Sequence, residues 1–283
     1  MIETLLIMWR ESLEAALIVG ILLTYLARSG QRAGVRFVWG GALAAVAAAV
    51  TVGVICSDAV AALGGDAQEL LQVGILLAAV GVLSWMVIWM HGNARNLGGD
   101  LRRKADRALA TGRLLGLAAI AFAAVFREGI ETVLFLWGVA VQHGRTGALP
   151  LVASGVAGIG LAIATAWVFF RGFAFLKLQT FFRVTGLLLL LVAAGLLTTG
   201  VNKLIGLGYL PPIVPQVWNT SWLLRDQSPV GAVASALLGY RSRPSLLEVL
   251  AFCVYVPAMC WALYRADASS RGAVSPAPAG SAA

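Results

Sequence analysis

Residues 10–14 read Arg10-Glu11-Ser12-Leu13-Glu14, and residues 127–131 read Arg127-Glu128-Gly129-Ile130-Glu131. Each is an R-E-x-x-E string set in a long apolar run, and 117 positions separate the two. On a helix, residues three apart share a face, so each string presents two carboxylates to one side. Arg10 and Arg127 stand four residues ahead of Glu14 and Glu131, within reach of their own helix's second glutamate or of the other helix. A charge deep in a bilayer costs at least about 2.5–3.5 kcal/mol on insertion scales, so these six charges need compensation. Four glutamates and two arginines leave a formal −2 when all are ionised. A purely structural ion-pair network should come close to neutral, because uncompensated buried charge is expensive. A residual −2 suits a site for a multivalent cation. Protonating two carboxylates would also neutralise it, which leaves proton coupling open.

The surrounding composition sets the solvent. Of 283 residues, 60% are hydrophobic and 12% charged, with a mean hydropathy of +0.87, against about 25% charged and 45–50% apolar in an ordinary soluble domain. This excludes a disordered chain, a nucleic-acid binder and a typical soluble enzyme, and leaves an all-α polytopic membrane protein in contact with lipid. Seven apolar runs are expected to span, near residues 4–27, 36–56, 69–90, 114–141, 149–170, 184–201 and 247–264. The first is not a signal peptide, since Arg10, Glu11 and Glu14 interrupt it.

Loop charges orient the chain. With the N-terminus outside, the inside segments hold Arg28, Arg32, Arg36, Arg95, Arg102, Arg103, Lys104, Arg107, Arg113, Arg171, Lys177, Arg183, Arg265 and Arg271. The outside segments hold Arg145, Lys203, Arg225, Arg241 and Arg243. Fourteen against five predicts N-out and C-in. The net charge of +8 is read as this anchoring, not as a polyanion partner.

The offset of 117 also maps Gly41, Ala45 and Ala49 onto Gly158, Ala162 and Ala166, small-residue stripes that let helix backbones approach closely. Each copy holds three spans. An odd number makes the copies enter the membrane in opposite directions, an inverted repeat that binds substrate near the midplane between its halves. The organisation expected is residues 1–113 for the first three-helix repeat and a basic cytoplasmic loop, and 114–201 for the second, inverted repeat. Residues 202–246 follow as an outer loop with short interfacial helices, 247–265 as a seventh transmembrane helix, and 266–283 as a disordered cytoplasmic tail.

Carboxylates without Cys or His suit hard cations such as Fe³⁺, Mn²⁺, Mg²⁺ or Ca²⁺. Cys56, Cys253 and Cys260 show no disulfide or zinc spacing, and His91 and His143 lie far apart. Met86 and Met90, beside Trp85 and Trp89, read as lipid-facing or packing residues. Asp58, Asp66 and Glu69 are candidate cation attractors at the outer surface. Glu248 reads as a helix N-terminal charge.

On these residues the sequence resembles the high-affinity iron permease family of bacterial inner membranes and fungal plasma membranes, whose signature is R-E-G-[LI]-E in spans 1 and 4. The resemblance covers about residues 1–265 and takes in residues 85–90 (WMVIWM), 193–196 (AAGL), 218–222 (WNTSW) and 239–245 (GYRSRPS). It implies a seven-helix, N-out permease, multi-pass in a bacterial inner membrane. Glu11, Glu14, Glu128 and Glu131 would ligate iron, with Arg10 and Arg127 holding and tuning them. Iron is implied as transported substrate with no resident cofactor, carried as Fe³⁺ after oxidation of Fe²⁺ by a periplasmic or extracellular partner that oxidises or delivers it. Ser12, Gln72, Val201-Asn202-Lys203 and Asn219 depart from the family pattern, and the last three make the outer path less acidic.

The leading expectation is therefore a transporter and not an enzyme. A transporter or proton exchanger for another hard divalent cation such as Mn²⁺ is the alternative. A membrane-embedded metal oxidoreductase lacks the usual Glu-x-x-His, a scaffold subunit would leave the paired motifs idle, and no nucleotide-binding motif is present.

Overall fold

The computed structural model describes residues 2–93, 97–110, 114–143, 148–171, 178–224, 228, 230–231, 234–235 and 239–272. The described helices are α1 (Ile2–Arg28), α2 (Arg32–Ala62), α3 (Gly65–Asn93), α4 (Leu97–Ala110), α5 (Leu114–His143), α6 (Ala148–Phe170), α7 (Leu178–Gly206) and α8 (Leu246–Gly272). No strand occurs among the described residues. A bilayer's hydrocarbon core takes about 20 helical residues to cross. By length and composition α2, α3, α6, α7 and α8 meet that requirement. The helices α1 and α5, of 27 and 30 residues, are as long but carry the R-E-x-x-E strings. The outward faces match a lipid solvent. Trp39, Leu43, Val46, Val50 and Val54 form an exposed apolar stripe down α2, and Val152, Val156, Ile163 and Trp167 do the same on α6. The chain is a multi-pass, all-helical membrane protein.

Seven helices are expected from the sequence, and the described residues include a further long one, α4. α4 lies in the basic stretch expected as a loop. Its Ala105 is buried and Leu101, Ala108 and Leu109 pack on α1 and α5, while Arg102, Arg103, Lys104 and Arg107 face out. The Tyr25 hydroxyl donates to the Asp106 carboxylate and ties this helix to α1. At 14 residues it is too short and too polar to register as an apolar run. Helices also outlast the apolar runs at both ends, since a hydropathy window sees only the part in lipid. Lys203 thus belongs to α7, and α8 continues to Gly272 into the stretch expected as a disordered tail. Residues 273–283 lie outside the described part, as do the loop residues Arg95, Arg113, Arg145, Lys177 and Arg225.

Helix directions follow from close contacts. α1 ends in a Schellman turn: Gly30 takes φ +73°, and the Gln31 N–H donates to the Leu26 carbonyl at 3.1 Å. The chain returns as α2. A Cβ on Gly41 would lie 2.2 Å from the Ala118 carbonyl oxygen, one on Gly129 2.6 Å from Ala49 Cβ, and one on Gly53 3.2 Å from Val133, so α2 and α5 run parallel. In the same way Gly158 sits on Leu5, Met8 and Trp9, and Gly20 on Phe170, so α6 runs parallel to α1. The motif helices α1 and α5 are therefore antiparallel. α3 and α7 cross the bundle in opposite directions, with Gly186 on Val87 and Gly200 on Leu76 and Leu77.

A small apolar cluster of Leu13, Ala162 and Ala166 joins α1 to α6, and two larger ones fill more of the interior. One gathers Ile7, Leu76, Leu83, Phe135, Leu189 and Leu196. The other gathers Val19, Leu22, Ala45, Leu117, Ala121 and Val125. On α1 and on α5 the charged string falls between them, bracketed by Ile7 and Val19 on one helix and by Val125 and Phe135 on the other.

The segment 202–246 is expected to hold short interfacial helices, and only part of it is described. Its described residues from 207 to 224 carry no helix. Residues 217–220 pair with 242–244 instead: the Val217 N–H donates to the Pro244 carbonyl and the Thr220 N–H to the Ser242 carbonyl, both at 2.9 Å. Tyr240 Oη meets Thr220 Oγ1 at 2.6 Å. Three prolines within residues 211–215 remove the backbone donors that a helix needs. Residues 230–231 and 234–235 are helical; the rest of that stretch lies outside the described residues.

Candidate metal site

Arg10, Glu11 and Glu14 are at most 5% exposed. Arg10 Nη1 donates to Glu11 Oε1 at 2.9 Å, and Nη2 lies 2.7 Å from Glu14 Oε1. On α5 the ion pairs are tighter toward the first glutamate. Arg127 Nη2 and Nε donate to Glu128 Oε1 at 2.6 and 3.1 Å, and Nε is 3.6 Å from Glu131 Oε1. Arg127 is half-exposed where Arg10 is sealed. Each arginine therefore pairs with its own motif, and neither reaches across.

What crosses between the helices is the carboxylates. Glu11, Glu128 and Glu131 each bring one oxygen to within 4.8 Å of the other two. In each of these side chains Oε2 is buried and accepts no hydrogen bond. A buried carboxylate oxygen left unpaired is costly, and each of the three grouped carboxylates carries one. Glu14, expected in the same set, does not share this mutual 4.8 Å grouping. Its Oε1 lies 2.7 Å from Arg10 Nη2 and, like the three Oε2 atoms, is buried without a hydrogen bond.

The outer acids are not brought to this cluster. Asp58, Asp66 and Glu69 are exposed at the ends of α2 and α3. Near them a cleft of about 420 Å³ is lined by Ser57, Gln68, Gln72, Trp137 and Lys203 among others, so Gln72 and Lys203 face the space where an acidic path was in question. His91 stands in the last turn of α3, outside the carboxylate group. The three cysteines are free.

Sequence reasoning missed the partners on α3. Met86 and Met90 are 3% and 4% exposed and do not face lipid. Their sulfurs accept from Arg10 Nη1 and Nη2, each at 3.3 Å. Trp89 lies under Arg127, with Cζ 5.7 Å from the ring centroid, a cation–π contact. Only the i, i+4 spacing of the methionines hinted at a shared face. Glu3 is a further buried acid at the start of α1. Glu248 caps α8 as expected: Ser245 N–H and Oγ donate to Glu248 Oε2 at 2.7 and 3.0 Å, a capping box. Arg241 bridges it to α7, with Nε 3.4 Å from Glu248 Oε1 and Nη2 donating to Thr199 Oγ1 at 2.9 Å.

A bundle of membrane-crossing helices with buried carboxylates grouped inside it is the frame of a multi-pass membrane permease. Residues 1–264 match the Iron permease FTR1 family, and the chain belongs to it. It is 32% identical over 257 residues to the ferrous iron permease EfeU of Escherichia coli O157:H7, which spans 90% of this chain and 92% of that protein. It is equally similar over 257 residues to EfeU of Yersinia pestis, at 90% of each chain. An uncharacterized protein of Archaeoglobus fulgidus is 32% identical over 273 residues, 94% of this chain and 95% of that one. No solved structure matches this chain.

Proposed function

We propose that this protein carries iron across the cell membrane into the cytoplasm, with Glu11, Glu128 and Glu131 as the ligands of the moving ion. The observation that carries the reading is the convergence of three buried carboxylates that each keep an unpaired oxygen. Arg10 and Arg127 hold the ligands, and Glu14 is the counter-ion that keeps Arg10 in place. α1, α2, α3, α5, α6, α7 and α8 are the seven spans, and α4 lies on the cytoplasmic surface.

The two halves are an inverted repeat. Support comes from the packing: Gly41 of α2 on α5 is matched by Gly158 of α6 on α1, and those glycines stand at the same offset of 117 as the motifs. The apolar layers on both sides of the site are the seals that alternating access would open in turn. The basic residues of α4 and of the loops give an N-out, C-in orientation in a bacterial inner membrane. A membrane potential then favours cation uptake by about 2.3 kcal/mol per charge per 100 mV.

Fe²⁺ is the species we favour. Fully ionised, the two motifs carry −2, which a divalent ion cancels, and the curated relatives are named ferrous permeases. A second reading keeps the implication of the family resemblance, Fe³⁺ made from Fe²⁺ by an oxidising periplasmic partner. An all-carboxylate donor set is hard enough to favour it. Mn²⁺ stays as the competing cargo. The test is labelled-iron uptake by cells that depend on this chain, with Fe²⁺ held reduced, with Fe³⁺, and with or without a periplasmic ferroxidase. Uptake of reduced iron without the oxidase supports the first reading. Uptake that requires oxidation supports the second. No iron uptake under any condition, with Mn²⁺ uptake intact, rejects both.

A further inference from the structure

We propose that Met86 and Met90 of α3 are positioning residues that set the cation affinity of the carboxylate site by giving Arg10 a resting place away from Glu11. The inference rests on the iron-site reading above and extends it to a second layer of residues.

The Arg10 guanidinium is buried on every side. Its Nε has no hydrogen-bond partner, and the two Nη groups find theirs inside the protein. Nη1 divides its donation between Glu11 Oε1 at 2.9 Å and the Met86 sulfur at 3.3 Å. Nη2 stands between Glu14 Oε1 at 2.7 Å and the Met90 sulfur at 3.3 Å. A thioether is a weak acceptor and carries no charge. It satisfies a donor without adding to the site's negative charge and without competing for the metal's place.

A cation bound by Glu11, Glu128 and Glu131 would lie close to Arg10 and repel it. Arg10 has no route to water. It keeps its charge and its hydrogen bonds only if acceptors exist on the side away from Glu11, and those acceptors are Glu14 and the two sulfurs. Without the thioethers, Arg10 must satisfy its Nη hydrogens on the motif carboxylates, and the incoming ion has to displace it. The same α3 segment meets the other motif differently: Arg127 is half-exposed, and its guanidinium lies over the Trp89 ring. The methionine pair serves Arg10, the arginine that is sealed.

The test measures binding of labelled Fe²⁺ to the purified full-length protein. Met86→Leu/Met90→Leu keeps volume and apolar character but removes both acceptors. The expected result is affinity weakened about tenfold, the change that corresponds to about 1.4 kcal/mol. Met86→Gln/Met90→Gln, which returns a side-chain acceptor at similar length, should restore it. Unchanged affinity in the leucine variant overturns the proposal, and so does weakened affinity that glutamine fails to rescue, because that pattern marks packing alone. If the double variant does not fold, Met86→Leu and Met90→Leu singly carry the same test, each with a smaller loss. Glu128→Gln in the same assay checks the site itself. Iron binding retained there rejects the iron-site reading whatever the methionines do.

Discussion

Glu11 on α1 and Glu128 on α5 are held alike: in each, Oε1 accepts from the arginine that precedes it, and Oε2 is buried with no hydrogen bond. The motif thus spends half of each carboxylate on fixing the side chain and keeps the other half for a ligand. Glu131 adds a third unpaired oxygen to the same space.

Substitution should therefore divide the four motif glutamates. Glu11→Gln, Glu128→Gln and Glu131→Gln are expected to abolish iron uptake while the protein still reaches the membrane. Glu14→Gln should act through Arg10. Removing one partner of a buried ion pair costs about 3–5 kcal/mol, so its amount in the membrane should fall, while the protein that remains still binds iron. Uptake assays normalised to membrane abundance separate the two patterns. Equal loss of binding in all four would return Glu14 to the ligand set.

The parallel helix pairs depend on missing side chains. Gly41→Ala would drive a Cβ to 2.2 Å from the Ala118 carbonyl, and Gly158→Ala to 2.7 Å from that of Leu5. Backbone cannot yield as a side-chain tip can, so each should destabilise by about 1–3 kcal/mol. Gly40→Ala is the control. Nothing lies within 4 Å of its added Cβ, and Ala in a helix is favoured over Gly by about 0.5–1 kcal/mol. Thermal unfolding in detergent should lower Tm for the first two and leave it level or higher for the third.

The segment 207–245 is docked in part through Ser245, Glu248 and Arg241. Ser245→Ala removes the capping box of α8 at a cost of about 1 kcal/mol. Arg241→Gln breaks the link from Glu248 to Thr199. Limited proteolysis from the outside should cut residues 207–245 faster in both variants, with the helical bundle intact. Unaltered cutting would show that the backbone pairing of residues 217–220 with 242–244 holds the segment by itself.

An oxygen-only donor set should rank competitors by hardness. Mn²⁺ in excess is expected to slow labelled-iron uptake, whereas Ag⁺, which prefers sulfur, should leave initial rates near control. Strong inhibition by Ag⁺ that disappears in Met86→Leu/Met90→Leu would instead make the sulfurs direct ligands.

The sequence alone determined the helical class, the apolar middle of the long spanning helices but not their ends, and the two charged strings that have no place in lipid without a purpose. It could do so because these are one-dimensional signals: an apolar run long enough to cross a bilayer, and a charge where none is cheap. It also supplied the glycine stripes, since a small residue every fourth position is visible as spacing. The tertiary structure decided which acids meet. Glu14 and Glu11 share a helix face and both pair with Arg10, yet the mutual 4.8 Å grouping with Glu128 and Glu131 takes in Glu11, a distinction that spacing in the string does not make. Asp58, Asp66 and Glu69 read as acids of the protein surface and are exposed at helix ends. Met86 and Met90 read as apolar filling and turn out to be acceptors, because a thioether's role depends on which donor packs against it, and that donor is 76 and 80 positions away in the chain.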